Sequence, residues 1–282
     1  MARSPRPADP GPSWWDQSRA ADGPTAADGD PWLRPAADPE TPVAIGGDLA
    51  PATMIGAYRR GIFPWPALDP TAAADLRSRF GPAVADGTIP SLTPRQPATL
   101  DLPWFSPDPR GVLVCGKVHV SRTLAWRMRS AGWTATVDAA FADVVGHCTR
   151  GGPHEWITPG LVACYQRLFE LGWAHSSEVW DGDTLIGGHF GITIGGAHSC
   201  ESMFHRVDDA SKVALVDFDA RFRDGGGRLI DVQLASPHLV RMGAEPMSRA
   251  DYLHALLAVR DAYVPLERDP LPVARLAPPR QP

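Results

Sequence analysis

The chain has 282 residues, 44% hydrophobic and 21% charged, with a formal net charge of −5. That balance suits a globular protein of one large or two modest domains, and it excludes binding of nucleic acid through bulk positive charge. No apolar run approaches the roughly 18–20 residues of a membrane span, and the opening MARSPRPADPGPSWWDQ lacks the apolar stretch of a secretory signal. A cytoplasmic protein with no membrane attachment is therefore expected. Its four cysteines, Cys115, Cys148, Cys164 and Cys200, are widely spaced without a C-x-x-C and read as reduced thiols.

Residues 1–30, rich in Pro, Ala, Asp and Gly, read as a disordered extension. Residues 48–60 carry a helix: Asp48 stands at its start, Pro51 comes early, Met54, Ile55 and Tyr58 recur at helical spacing, and Gly61 stops it. An extended apolar piece, Ile62 to Trp65, follows. Residues 66–103 read as a long surface loop inserted into a small N-terminal domain, 31–112. A short buried strand is expected at 111–115, then helices at 121–130, 137–148 and 160–171. In the last of these Leu161, Tyr165, Leu168 and Phe169 form one stripe, with Gly172 just beyond. Residues 174–180 and 184–194 read as a hairpin about Asp181-Gly182-Asp183, and 197–203 as a third strand. An amphipathic helix at 210–223 is broken at 225–227, and a strand at 228–234 follows. The final helix, 248–260, opens on Ser248 with Asp251 placed for a capping box. A second domain thus spans 113–265, and the Pro-rich residues 266–282 read as a loose tail. The order of elements gives an α+β protein.

The most informative stretch is 201–233. Glu201 ends one strand, a helix follows, and a second strand carries Asp231 and Gln233 two residues apart. Side chains at i and i+2 of a strand leave the same face, so a carboxylate, an amide and a second carboxylate converge on one cleft. Such a trio can hold an amine and remove its proton while the amine attacks an ester. The nine histidines show no metal-ligand spacing, and no Gly-rich phosphate cradle follows a strand, so neither metal nor coenzyme is expected.

Several pieces, in order, resemble the bacterial leucyl/phenylalanyl-tRNA–protein transferase family. They are Gly46-Gly47-Asp48-Leu49, AYRRGIFPW at 57–65, SPDPR at 106–110, Trp156-Ile157-Thr158-Pro159, AHSSEVW at 174–180 and Glu201-Ser202-Met203-Phe204. Ala210-Ser211-Lys212, Leu229-Ile230-Asp231 with Gln233, and Met242-Gly243-Ala244 complete the set. The resemblance implies a small N-terminal domain and an acetyltransferase-like (GNAT-type) C-terminal domain with a mixed, mainly antiparallel sheet flanked by helices. It implies transfer of Leu or Phe, and less well Met, from aminoacyl-tRNA to the N-terminal Arg or Lys of a protein, which marks that protein for degradation. A monomer without cofactor or metal is implied. The chain departs from the family pattern at His205, Cys200 and Val232. His189 and His198 stand where apolar or aromatic residues are usual.

On that resemblance Asp231, Gln233 and Glu201 are the catalytic candidates. Asp231 would accept a hydrogen bond from the incoming ammonium. Gln233 would orient the reacting groups or donate to the oxyanion, and Glu201 would orient an amine. The identity of the base stays open, since the ribose 2′-hydroxyl could relay the proton. Met203, Leu215, Phe218 and Ile230 are candidates for the donor side-chain pocket, and Trp65, Trp156 and Tyr165 for the terminal adenosine. Arg122, Arg127 and Arg129 would meet tRNA phosphates. Asp208, Asp209 and Glu178 are the acids available for the acceptor's cationic side chain. Acetyl transfer from acetyl-CoA and a non-catalytic tRNA- or peptide-binding module are the competing readings. The first needs a Gly-rich turn where this chain has HRVDDASK.

Overall fold

The computed structural model describes residues 2–13, 15, 40–92, 102–149 and 156–279. Two sheets organise them. A small one has the order β1 (Ala44–Ile45), β3 (Pro103–Phe105), β2 (Phe63–Pro64), and α1 (Pro51–Tyr58) joins its first two strands in sequence. The large sheet has eight strands in the order β10 (Glu245–Met247), β4 (Arg110–Val114), β9 (Leu229–Gln233), β8 (Ala197–His205), β7 (Thr184–Ile194), β6 (Ala174–Asp181), β5 (Thr134–Val137), β11 (Leu271–Pro272). Every neighbouring pair in it is antiparallel except β8 and β9, which run parallel. The α+β architecture with a mixed, mainly antiparallel sheet is thus as expected.

Local chemistry accounts for the elements. The β6–β7 hairpin turns at Asp181-Gly182-Asp183, where Gly182 takes a φ of 56° that favours glycine. Helix α5 (Pro159–Glu170) starts where the Thr158 side chain accepts from the Leu161 amide at 3.2 Å, with Pro159 in the first turn. Helix α8 (Arg249–Val259) opens on Ser248, whose hydroxyl accepts from the Asp251 amide at 3.1 Å and donates to its carboxylate at 2.6 Å. Three further helices complete the second unit: α3 (Arg122–Ser130), α4 (Phe141–Cys148) and α6 (Ala210–Asp224). The helix expected at 137–148 is shorter, because Val137 ends strand β5. The brief α7 (Pro237–Arg241) and strands β1, β10 and β11 carry too few residues for a periodic pattern.

Hydrophobic burial divides between the two faces of the large sheet. One core gathers α1, α4, α5 and α8 against Phe190, Ile192 and Phe204. The other gathers α3 and α6 against Leu113, Val179 and Ile230. Helix α6 lies close to β7 because position 187 is glycine: a Cβ there would stand 2.5 Å from the Ala210 Cβ.

Three expectations from the sequence change. The span 66–103 is not all loop, since α2 (Pro70–Ala85) runs through it. Its start is written in the sequence: the Asp69 carboxylate accepts from the Thr71 and Ala72 amides at 2.8 and 2.9 Å, and Pro70 occupies the first turn. Residues 93–101 lie outside the described residues. Within 1–30, residues 2–13 and 15 pack on the body. Ser4 exchanges hydrogen bonds with Leu266, amide to carbonyl and amide to hydroxyl, both at 2.9 Å, and the buried Trp15 ring donates to the Thr53 carbonyl at 2.9 Å. The disorder expected for 16–30 lies outside the described residues. The tail is also fixed through residue 279. Strand β11 pairs with β5, Leu266 and Val273 are fully buried, and Arg221 donates to the carbonyls of Glu267 and Asp269 at 3.0 and 2.9 Å. Buried donors that need acceptors impose order on a composition that looks loose.

Trp15 meets Trp104 edge to face with ring centroids 5.4 Å apart. Trp15→Ala is expected to cost about 3–5 kcal/mol, read from urea unfolding. A variant as stable as its parent would show that the N-terminal strap contributes nothing.

Candidate active site

Strands β8 and β9 pair only from Ala197–Ser199 to Leu229–Asp231. Beyond that register no pairing continues, and the diverging ends carry Glu201 on β8 and Gln233 on β9. Asp231, Gln233 and Glu201 are brought together. The Gln233 side-chain nitrogen donates to the Ser199 hydroxyl at 2.9 Å and to Glu201 Oε1 at 3.0 Å, and the Gln233 amide donates to Asp231 Oδ1 at 2.9 Å. Gln233 has a φ of 53°, left-handed for a residue with a side chain. Across β4 the ladder slips between Gly111 and Val112, so that Gly111 faces Gln233 and Val112 faces Asp231.

Asp231 is 1% exposed and fully engaged. Arg110 grips it with two prongs, Nε to Oδ1 at 2.8 Å and Nη2 to Oδ2 at 2.6 Å, and the Tyr252 hydroxyl donates to Oδ2 at 2.8 Å. With the Gln233 amide and, at 3.5 Å, the Ser199 hydroxyl, five donors surround a carboxylate that has about four lone-pair sites. Arg110 also donates to the Gly61 carbonyl at 3.0 Å and sits over the rings of Phe63 and Tyr252. Burial opposes its charge, but Asp231 more than offsets this and holds the guanidinium above its ordinary range. The expectation that Asp231 itself receives an incoming amine meets this geometry directly: its oxygens are already taken.

Glu201 is placed differently. Burial pushes its carboxyl up to about 7, against hydrogen bonds that favour the ionised form. It accepts from Gln233 and from the Tyr165 hydroxyl at 3.2 Å. The hydroxyl of Tyr58 lies beside it without a hydrogen bond of good geometry. Both N–H bonds of the Gln233 amide are thus directed at Ser199 and Glu201, which leaves its carbonyl oxygen as the group to offer a substrate.

The other expected residues divide. Trp65 and Trp156 stack on each other with centroids 5.5 Å apart, and Trp65 is 45% exposed. Tyr165 is fully buried under Glu201 and has no face for a base. Leu215, Phe218 and Ile230 are fully buried together, with Met203 half-buried against them. His189 and His198 lie in the same place, each within 5.1 Å of the Phe218 centroid. Burial lowers both: His189 to about 3 and His198 well below its ordinary value. On α3, Arg122 is exposed, Arg127 lies over Trp133, and Arg129 donates to the Pro278 carbonyl at 2.9 Å. Glu178 is no part of a cleft. It is fully buried and accepts from the Thr136 hydroxyl at 2.6 Å and from the Ala139 and Ala140 amides at the start of α4. Asp209 accepts from Lys212 at 2.6 Å, and Asp208 is exposed.

Sequence reasoning missed Arg110, Tyr252 and Ser199. Arg110 closes the SPDPR motif, so its signal was present without a partner to explain it. Tyr252 lies in an ordinary helical pattern and gave none. Among the described residues no group of three or more His, Cys, Asp or Glu could hold a metal ion, and no helix is long and apolar enough to cross a membrane.

Comparison with known proteins adds an independent line. The family model for leucyl/phenylalanyl-tRNA protein transferase matches residues 112–257, and that for its N-terminal domain matches residues 47–71. A leucyl/phenylalanyl-tRNA–protein transferase of Thiobacillus denitrificans is 41% identical over 76% of this chain and 82% of its own length. One from Chromohalobacter salexigens is 43% identical over 80% of this chain and 77% of its own. A solved GCN5-related N-acetyltransferase from Kribbella flavida superposes on 50% of this chain and 55% of its own, with 16% identity and a TM-score of 0.33.

The buried pair is open to test. Arg110→Met leaves Asp231 charged and unpaired, at an expected cost of about 3–5 kcal/mol. The double variant Arg110→Met with Asp231→Leu should recover much of that loss. Urea unfolding compares the two; equal losses would show that no uncompensated charge is involved.

Proposed function

The chain belongs to the leucyl/phenylalanyl-tRNA–protein transferase family, and from that premise we propose that it moves Leu or Phe from aminoacyl-tRNA to the N-terminal Arg or Lys of an acceptor protein. The observation that carries the mechanism is the Gln233 amide, fixed by Ser199 and Glu201 beside a carboxyl that titrates near neutrality.

The reaction exchanges one acyl bond for another. The acceptor's α-amine attacks the ester carbonyl, a C–N bond forms, the bond from that carbonyl to the ribose oxygen breaks, and the ribose oxygen takes a proton. An α-ammonium with a pKa of about 7.7–8.0 is partly neutral at pH 7, so a weak base suffices and positioning supplies most of the rate. In this reading the Gln233 carbonyl oxygen accepts a hydrogen bond from the amine and aims it. Glu201 takes the amine's proton. Asp231 acts one step back: through its bond to the Gln233 amide it fixes the strand end that carries Gln233. The ribose 2′-hydroxyl is a further route for the proton to the leaving oxygen.

The donor end is proposed at the exposed face of the Trp65–Trp156 stack, where an adenine would add about 1–3 kcal/mol. Tyr165 is left to hold Glu201. The donor side chain is proposed to enter beside Met203, toward Phe218, Leu215 and Ile230. An apolar slot of this kind favours Leu, Phe and Met over charged or β-branched side chains, and His189 and His198, lowered by burial, make its wall less purely apolar and the preference less strict. Phosphates of the tRNA body are proposed at α3, chiefly at the exposed Arg122, with Arg127 and Arg129 adding charge from tethered positions. The substrate places the reaction in the cytoplasm, and the product would be a protein marked for degradation. Acetyl transfer from acetyl-CoA is disfavoured. The connection from β8 to α6 has no glycine over residues 206–209, and Asp208 and Asp209 put carboxylates at the helix start where a pyrophosphate would sit.

Mixing the protein with tRNA charged with labelled Phe and a peptide beginning with Arg should place alkali-stable label on the peptide, whereas labelled acetyl-CoA should give none. Label appearing only from acetyl-CoA would overturn the reading. The rate should climb as pH rises through about 7, because Glu201 becomes the carboxylate that accepts a proton. Glu201→Gln should remove that limb and keep only the later rise near pH 8 from the acceptor's own amine. An unchanged profile in Glu201→Gln would exclude Glu201 as base.

A further inference from the structure

A cavity of about 1040 Å³ opens beside the candidate active site, with α2 as one of its walls. It adjoins the site. Arg110, which grips Asp231, lines it, as does Trp65, and Leu234 follows Gln233 directly in the chain. Residues 72–111, which include most of α2, fall between the two stretches that the family models match. The cavity also draws together apolar side chains that are otherwise poorly covered. Trp65, Leu68, Leu234 and Val240 are 40–59% exposed and all line it. An exposed apolar concavity of this kind marks a binding site.

Its charges discriminate between the two macromolecules that meet here. Both arginines in the lining are already engaged by carboxylates, Arg79 by Glu40 at 2.7 Å and Arg110 by Asp231 at 2.6 Å. Asp75 and Asp108 stand on the same rim and are exposed. Away from Trp65, phosphates would meet the carboxylates of Asp75 and of Asp108, which accepts from the Arg249 amide at 3.2 Å, whereas a polypeptide that begins with a cationic residue would meet opposite charge.

We propose that this cavity seats the acceptor polypeptide, with the apolar side chains that follow its cationic first residue packed between α2 and Leu234 and Val240, and its positive charge facing Asp75 and Asp108. The subsite rests on the transfer reaction proposed above and gives it a second specificity: acceptors are chosen by the residues after the first as well as by the first.

The test compares two labelled peptides, one beginning Arg-Phe-Leu and one beginning Arg-Ser-Gly, in transfer from Phe-tRNA and in direct binding followed by fluorescence anisotropy without tRNA. The wild-type protein should bind the apolar peptide about tenfold more tightly, the effect of burying one or two apolar side chains, and its KM should be lower by a similar factor. Leu234→Ser with Val240→Ser should abolish that difference and leave the KM for Phe-tRNA unchanged; both positions are exposed, so the fold is insulated from the change. Equal affinity of the wild type for both peptides overturns the proposal. So does a variant that weakens both peptides alike, or one that raises the KM for tRNA, which would make the cavity a nucleic-acid site. Should transfer fail with every peptide while the binding preference and its loss are observed, the subsite stands and the transfer reaction is what falls.

Discussion

The bidentate contact between Arg110 and Asp231 is the constraint on which the rest of the site depends. Both groups are 1% exposed, so neither charge is tolerable without the other. Satisfying them fixes three separate pieces of chain. Arg110 opens β4, Asp231 lies on β9, and the carbonyl of Gly61 accepts the guanidinium's remaining prong at 3.0 Å. Gly61 has a φ of 68°, and a Cβ there would stand 2.7 Å from Leu253, so only glycine lets the segment after α1 approach so closely. Ser106 donates to the same carbonyl at 2.9 Å and accepts from Arg249 at 2.8 Å. The small N-terminal sheet and the end of β9 are thereby pinned to one point.

This arrangement separates two acids that look alike in sequence. Asp231 is surrounded by donors, the Arg110 guanidinium among them. Glu201 is almost as deeply placed but meets neutral partners, Gln233 and Tyr165, so desolvation decides its protonation. Identical functional groups acquire different duties because one has a cation beside it and the other does not. The left-handed backbone at Gln233 belongs to the same scheme. Its amide is held by Asp231, so local strain is offset by a charge-assisted hydrogen bond.

Much of this is legible in the sequence. The hairpin at 181–183, the helix opened by Ser248 and the i, i+2 placement of Asp231 and Gln233 follow from short-range rules, and the structure keeps them. The division of labour between Asp231 and Glu201 was not legible, because it depends on Arg110, a residue 121 positions away from Asp231. Tyr165 was misplaced for a similar reason: a stripe of apolar spacing does not say whether its tyrosine faces a ligand or caps a buried acid. The helix α2 was overlooked although Asp69-Pro70-Thr71 announces it, because its Ala-rich body carries little hydrophobic signal. The ordered strap and tail were missed since their order comes from partners such as Leu266, Arg221 and Thr53, none of which is near them in sequence or visible as a local pattern.

The reciprocal bonds between Ser4 and Leu266 close a loop of 262 residues. Contacts so distant in sequence carry the largest closure entropy and form late. During synthesis Trp15 and Ala8 meet partners at Thr53 and Leu171 well before Leu266 exists, so the strap can fasten from its inner end outward. The Ser4–Leu266 clasp and strand β11 come last, and a nascent chain halted before Leu266 would lack both while the rest of the strap was already seated.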